Sequence, residues 1–202
     1  MAKKYLFSLF LLIVTVIVGI SLTNCSTGIE SSPDPGILRI ILESDPSDTT
    51  IIIVTDTFTV SEKDYLKAEV YQGKAYIDTV SAVLYPEVRS TRQEGVKYNI
   101  IARENNQYCE FTIFETHVPP DDYNRIQFGI LADSLKLGSF DVIKVESAED
   151  SNLIVDLYKN FYVKENGTTE INVRIQPFKS IKRFKDTYRF SPKMEIFNVK
   201  YY

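Results

Sequence analysis

The chain has no tryptophan, one histidine and two cysteines among its 202 residues, and each scarcity closes a route. The single imidazole, His117, has no neighbouring histidine or cysteine with which to build a typical zinc site. It also lacks the Gly-x-Ser-x-Gly elbow of many serine hydrolases, so it reads as a polar loop residue. No Cys-x-x-Cys, no glycine-rich phosphate loop and no Asp-x-Asp-x-Asp-Gly calcium loop occurs. No segment beyond residue 25 keeps a 3.6-residue apolar period for long, so helices are not expected to build the fold. With most catalytic equipment missing, the chain is expected not to be an enzyme and to need no cofactor and no metal.

What is present begins at the N-terminus. Lys3 and Lys4 precede an almost wholly apolar run from Tyr5 to Ile20, and Leu22-Thr23-Asn24-Cys25 is followed by Ser26-Thr27-Gly28. Charge, apolar core and small polar residues in that order are the pattern of an export signal. The Leu-Thr-Asn-Cys ending resembles the lipobox of bacterial lipoproteins, in which the cysteine is lipidated and becomes the first mature residue. The resemblance implies cleavage after residue 24, with acyl chains (palmitate among them) on Cys25. An uncleaved signal anchor, with Cys25 an ordinary thiol, is the alternative. Either way the rest of the chain lies outside the cytoplasm, in the cell envelope. By resemblance to lipoprotein sorting, Ser26 after the cysteine favours the outer membrane over the inner. Lipid chains contribute about 0.8 kcal/mol per buried methylene, so two or three of them hold firmly.

Removing residues 1–24 leaves 178, enough for one domain with a real core. Those 24 residues carry two lysines and no acid, so the net charge moves from −4 to −6. A mildly acidic surface has no global pull toward nucleic acid. With Cys25 lipidated, Cys109 has no partner for a disulfide, and it reads as a small buried hydrophobe in a strand-like run. Residues 25–35 read as the lipidated cysteine and a flexible tether, whose ten residues after Cys25 reach about 35 Å at most. Residues 36–202 read as a single domain.

Within that domain the pattern is short strands between polar turns. Ile37 to Glu43 sends Leu38, Ile40 and Leu42 to one face. Asp45-Pro46-Ser47-Asp48 is a turn, and the β-branched run Thr49 to Val54 reads as a strand buried on both faces. Tyr65 to Tyr71 alternates cleanly, and Gln72-Gly73-Lys74 reads as the turn of a hairpin into Ala75 to Val80. Ser81 to Tyr85 is a further strand, and Ser90 to Gly95 a loop. Val96 to Ala102 and Tyr108 to Phe114 flank Glu104-Asn105-Asn106-Gln107 as a second hairpin. After Pro119-Pro120-Asp121-Asp122, Tyr123 to Leu131 alternates, and Leu131 to Leu137 would suit a turn or two of helix. Phe140 to Val145, Leu153 to Leu157 and Phe161 to Lys164 read as short strands. Asn166-Gly167 reads as a hairpin turn into Thr168 to Ile175, with Ile171, Val173 and Ile175 inward, and Met194 to Val199 closes the chain. Thirteen tyrosines, twelve phenylalanines and many β-branched residues support an all-β fold, an antiparallel β-sandwich without crossover helices.

Three stretches carry a family resemblance. They are Gly36 to Leu42 with Asp45-Pro46, Val118-Pro119-Pro120-Asp121-Asp122-Tyr123-Asn124-Arg125-Ile126, and Phe161 through Gly167-Thr168-Thr169 and Ser180 to Tyr188 and Pro192. In that order they resemble a bacterial envelope family, the domain of unknown function 4382, over roughly residues 36–199. Asp121 or Asp122 stands where that family's second motif usually has Gly, and the Asp-Ala-Pro turn lacks its alanine here. The resemblance implies a prealbumin-like (transthyretin-like, carbohydrate-binding-like) sandwich on a surface lipoprotein, and no activity.

Few constellations invite chemistry. Asp121 and Asp122 are adjacent in one turn, so they do not by themselves flank a glycosidic bond, and they read, like Asp45 and Asp48, as turn residues capping local N–H groups. A cation on them is the sharper alternative. Lys179, Lys182, Arg183, Lys185, Arg189 and Lys193 face a single acid, Asp186, with Phe184, Tyr188 and Phe190 interleaved. Outside the cytoplasm, a hairpin carrying Lys182, Arg183, Lys185 and Arg189 suits an anionic headgroup or acidic glycan; otherwise it is a solvated hairpin on aromatic anchors. Asn166-Gly167-Thr168 matches a glycosylation sequon, but Asn-Gly serves the turn. The expected role is a lipid-anchored, non-catalytic binding or structural module. Tyr65, Tyr71 and Tyr76 could stack on sugar rings of a glycan partner. The alternative is a fimbria-like or protein-assembly subunit joined to an envelope protein through a sheet edge, with an envelope hydrolase behind both.

Overall fold

The computed structural model describes residues 32–147 and 153–202. The leader and Cys25 lie outside these residues. All regular structure among the described residues is strand. In chain order the strands are β1 Gly36–Ser44, β2 Thr50–Ile53, β3 Asp56–Thr59, β4 Tyr65–Ile77, β5 Val80–Leu84, β6 Val96–Asn99, β7 Arg103–Glu104 and β8 Gln107–Tyr108. They continue as β9 Phe111–Val118, β10 Asp121–Lys136, β11 Ile143–Ser147, β12 Ile154–Val163, β13 Thr168–Ile175, β14 Ile181–Phe184, β15 Thr187–Phe190 and β16 Met194–Tyr201.

A four-stranded sheet runs β16-β13-β1-β9. Its inner face is the alternation expected of β1 and β13: Leu38, Ile40, Leu42, Ile171, Val173 and Ile175 are all buried. A larger sheet runs β14-β15-β11-β10-β4-β5, with β12 also paired to β10 and β6 to β4. The two sheets share one core, in which Phe114 of β9 meets Phe128 of β10 at 5.9 Å between ring centres. Most pairings are antiparallel, as expected, but β1 with β13 and β11 with β15 are parallel. Strands β1 and β13 are joined through the whole stretch between residues 45 and 167, so this parallel pair needs no crossover helix.

Several boundaries differ from the sequence pattern, mostly through bulges. Strand β4 does not turn at Gln72-Gly73-Lys74. Gln72 takes a left-handed conformation (φ +52), the register with β10 slips there, and the strand continues to Ile77. Gly73 serves close approach instead of a turn: a Cβ on it would lie 2.6 Å from the Phe114 ring. The reversal comes at Asp78 (φ +51), which joins β4 to β5. Residues 131–137 form no helix. A second register shift, between Ala132 and Ser134, moves the buried positions from Ala132 to Leu135, a spacing of three that imitates a helical turn. The segments 153–157 and 161–164 are one bulged strand, β12.

Strand β2 is buried on one face only. It pairs with β3 alone, so Ile51 and Ile53 pack inward while Ile52 is 65% exposed. The Asn105-Asn106 turn exists, with both residues at positive φ, but it joins only the two-residue strands β7 and β8. The longer flanks part company, β6 joining β4 and β9 joining β1. Asn166 is left-handed as a turn residue should be, yet β12 and β13 belong to different sheets and form no hairpin.

Two buried carboxylates tie loops to distant chain. Asp48 accepts the backbone N–H groups of Phe178 (2.8 Å) and Lys179 (3.1 Å). Asp64 accepts those of Ser61 (2.7 Å) and Gly138 (2.6 Å). Each removes orphan donors that would otherwise cost about 1–3 kcal/mol when buried.

Candidate functional site

The outer face of the larger sheet follows from the alternation of β4. Tyr65, Lys67, Glu69 and Tyr71 point out, and the Gln72 bulge resets the phase so that Lys74 and Tyr76 also point out. Cross-strand pairing then sets Tyr76 beside Arg125 of β10, and Arg125 beside Tyr158 of β12. Opposed residues share a face, so the three side chains form a row. The Arg125 guanidinium lies 3.8 Å from the Tyr76 ring centre and 5.8 Å from that of Tyr158. One row along, Lys74, Gln127 and Asp156 are opposed in the same way.

Hydrogen bonds hold this surface in place. The Tyr76 hydroxyl donates to Gln127 Oε1 (3.0 Å), and Gln127 Nε2 donates to Asp156 Oδ1 (2.9 Å). Arg125 Nη1 reaches the same oxygen at 3.3 Å. Asn124 Nδ2 donates to Asp78 Oδ1 at 2.8 Å. Around them lies an open groove of about 540 Å³ bordered by Asp78, Asn124, Arg125, Tyr158, Lys159 and Asn160. Tyr158 is 74% exposed on its rim. A third row opposes Gly129 to Tyr71, and any Cβ at Gly129 would overlap the Tyr71 ring. The glycine lets Tyr71 lie across the sheet and extend the aromatic surface.

Chemically this is an aromatic and guanidinium platform edged with amide and carboxylate groups. Asp156 balances Arg125, so the groove does not concentrate charge of one sign. It suits a ligand with an apolar face and many hydroxyls better than an anion.

The outer face of the smaller sheet is different in kind. Arg39 of β1 pairs with Glu115 of β9 (2.6 Å) and Glu170 of β13 (3.5 Å), and Glu170 with Lys200 of β16 (3.0 Å). The chain of charges crosses all four strands. Hydrogen bonds from the Arg39 guanidinium to Glu115, opposed by partial burial, leave its pKa above the usual arginine value on balance. Arg174 pairs with Glu43 at 2.7 Å and lies over the Phe197 ring at 3.9 Å.

The residues singled out from sequence fall as follows. Cys25 lies outside the described residues. Tyr65, Tyr71 and Tyr76 do share one face, half-buried. Lys182, Arg183, Lys185 and Arg189 lie on the β14–β15 hairpin without sharing a face. Lys182 opposes Arg189, with Phe184 on their side, whereas Arg183 opposes the buried Tyr188. Arg189 lies over the Phe184 ring at 3.9 Å and sits in register with Glu146 of β11, so an acid interrupts the patch. Asp121 and Asp122 are exposed at the start of β10, where the Asp122 N–H donates to Asp121 Oδ1 (2.8 Å). No cluster of three or more His, Cys, Asp or Glu able to hold a metal ion occurs among the described residues. His117 is an exposed residue of β9, not of a loop. Cys109 is half-exposed, not buried, because it falls in the break between β8 and β9. Partial burial and then the Glu104 carboxylate push its thiol pKa up, which makes it a poor nucleophile.

Arg125, Gln127, Asp156 and Tyr158 were not singled out from sequence. They are the outward residues of strands whose inward Ile126, Phe128 and Leu157 are buried. The alternation marked them as surface, but only the pairing of β4, β10 and β12 brings them together. No family model, no curated protein and no solved structure matches the chain.

Proposed function

We propose that the protein is a lipid-anchored, non-catalytic envelope module that binds a neutral glycan on the outer face of its larger sheet. The observation that carries this reading is the Tyr76–Arg125–Tyr158 row beside Gln127, Asp156 and Asn124. Aromatic rings and a planar guanidinium supply stacking surface, and the amide and carboxylate groups supply directed hydrogen bonds to hydroxyls. The Lys3–Cys25 leader supports export and lipidation at Cys25. The strand pattern supports a prealbumin-like sandwich of the kind the domain of unknown function 4382 implies. No helix among the described residues is long and apolar enough to cross a membrane.

The basic hairpin fits an anionic membrane less well. Strand β1 enters the domain at Gly36 and runs nine residues, about 30 Å, toward Ser44. Past Ser44 the Asp45 N–H donates to the Ile175 carbonyl and Asp48 accepts the Phe178 N–H, so the segment leading into the hairpin is tied down at that end of β1, opposite the Gly36 end.

A glycan array probed with the full chain in detergent tests the reading. Retention of neutral oligosaccharides by the wild type, abolished in Tyr158→Ala and unchanged in 1 M salt, is the expected result. No retention, or retention indifferent to Tyr158 and Arg125 substitutions, overturns it. Intact mass of the native protein beside Cys25→Ala tests the anchor: a chain starting at Cys25 with acyl adducts is expected, and an unmodified chain retaining residues 1–24 overturns it.

A further inference from the structure

The smaller sheet ends differently on its two sides. On the β9 side, Glu115 donates its backbone N–H to the Tyr85 carbonyl (3.0 Å), and Tyr85 donates to Thr116 Oγ1 (2.7 Å), so residues after β5 cover that edge. On the other side β16 is outermost, pairing with β13 only. At the end of the strand Tyr201 stacks on Tyr162 of β12 at 4.1 Å, and mid-strand the Phe197 ring lies under the Arg174 guanidinium of the same sheet at 3.9 Å. Eight residues of unpaired strand edge attract another strand unless something blocks them.

The sequence of this edge is complementary to itself. Read antiparallel to a second copy, Met194 opposes Tyr201, Glu195 opposes Lys200, and Ile196 opposes Val199, each pair occurring twice. In a regular strand this register would fail, because residues five apart point to opposite faces. Here the register with β13 slips between Asn198 and Ile196, one residue being absorbed by a bulge at Phe197. Glu195 opposite Arg174 and Lys200 opposite Glu170 therefore both lie on the outer face, while Ile196 opposite Val173 and Val199 opposite Ile171 lie on the inner one. A two-fold axis perpendicular to the sheet then matches charge with charge outside and apolar with apolar inside. Arg174 gives its guanidinium to Glu43, which leaves Glu195 without a cation among the described residues.

We infer that β16 is a homodimer edge, joining two copies of this chain antiparallel about an axis between Phe197 and Asn198 and making one continuous sheet of their smaller sheets. The inference stands apart from the glycan reading, since it uses the opposite sheet and a different readout.

Charge reversal tests it on the full chain in detergent, by sedimentation equilibrium. Wild type is expected to dimerise reversibly. Glu195→Lys places Lys against Lys twice, and Lys200→Glu places Glu against Glu twice, so each variant alone should associate about tenfold more weakly or worse. Mixed, the two variants restore both opposite-charge pairs, and a heterodimer should form with near wild-type affinity. The mixture is itself the folding control, since only folded edges pair. A monomeric wild type overturns the inference. So does association that survives either single reversal, which would place it elsewhere in the chain, and so does a mixture no tighter than its components.

Discussion

The two sheets share a core and turn opposite kinds of surface to solvent. Outside the smaller sheet, Glu115, Arg39, Glu170 and Lys200 satisfy one another across four strands, and Arg174 satisfies Glu43. Outside the larger sheet, the polar groups also pair, but they do so around rings with exposed area, a glycine that lets Tyr71 lie across the sheet, and an open groove. The first arrangement pairs its charges along the sheet and holds strands together, with Lys200 at the β16 edge keeping ammonium donors beyond the one on Glu170. The second fixes the orientation of side chains whose remaining donors, acceptors and ring faces stay available. Charged residues line both faces, but the larger sheet adds Tyr65, Tyr71, Tyr76 and Tyr158 where the smaller has Phe197, so the two faces differ in their rings as well as in their pairing.

The largest expected effect lies between the faces. Phe114→Ala empties the ring that touches Phe128 across the two sheets, and should cost about 3–5 kcal/mol in denaturant unfolding while keeping a single transition. Two separate transitions would mean that the sheets fold independently, and the comparison would then concern two units instead of two sides of one. Next comes Arg39→Met. It leaves Glu115 without its cation and Glu170 with Lys200 alone, and should cost about 1–2 kcal/mol at low ionic strength. The side chains are part-exposed, so 1 M salt should shrink that difference to less than half. An equal loss at high salt would show that Arg39 acts through packing and not through charge.

Tyr158→Ala should do the reverse. A ring 74% exposed has little packing to lose, so stability should stay within about 0.5 kcal/mol of wild type while glycan retention disappears. Gly129→Ala sharpens the same point without removing any ring, since the new methyl group lifts Tyr71 off the sheet. Retention should weaken while stability hardly changes. If Gly129→Ala unfolds the chain instead, Tyr71 belongs to the structural account.

Much of the architecture was legible in the sequence because alternation is a local signal. The inward triplets of β1 and β13 and the turns at Asp45 and Asn105 could be read from a few residues each. Bulges were not legible: Gln72 and Asp133 each shift the phase by one residue, and a shifted alternation resembles a turn in one case and a helical turn in the other. The candidate site was half legible. Tyr71 and Tyr76 were legible as exposed rings, but on two strands of an expected hairpin and not on the single strand β4, and Arg125, Asp156 and Tyr158 join them through long-range pairing that no local pattern encodes. Asp48 was legible as a turn residue, but not as the acceptor for Phe178 and Lys179, 130 and 131 positions away.

The smallest expected effect asks whether the larger sheet's outer face also contributes electrostatic stability. Asp133 sits at the second bulge of β10. The Ser134 hydroxyl donates to it at 2.5 Å, and Lys97 of β6 donates at 2.9 Å. These hydrogen bonds, in that order, hold its carboxyl below the usual aspartate range. A carboxyl with a depressed pKa in the folded state contributes stability that is fully present above the unfolded value, near 3.9, and is lost as pH falls through the lower folded value. Asp133→Asn removes this contribution. The stability gap between wild type and variant should be present at pH 6, narrow as pH falls below about 4, and amount to less than about 1 kcal/mol, because both partners are exposed. Thermal unfolding of the two proteins across that range checks it. A gap independent of pH would mean that the Asp133 side chain matters as the bulge's hydrogen-bond acceptor, which the asparagine amide oxygen fills poorly. The charge between β6 and β10 would then be as incidental to stability as the comparison of the two faces requires.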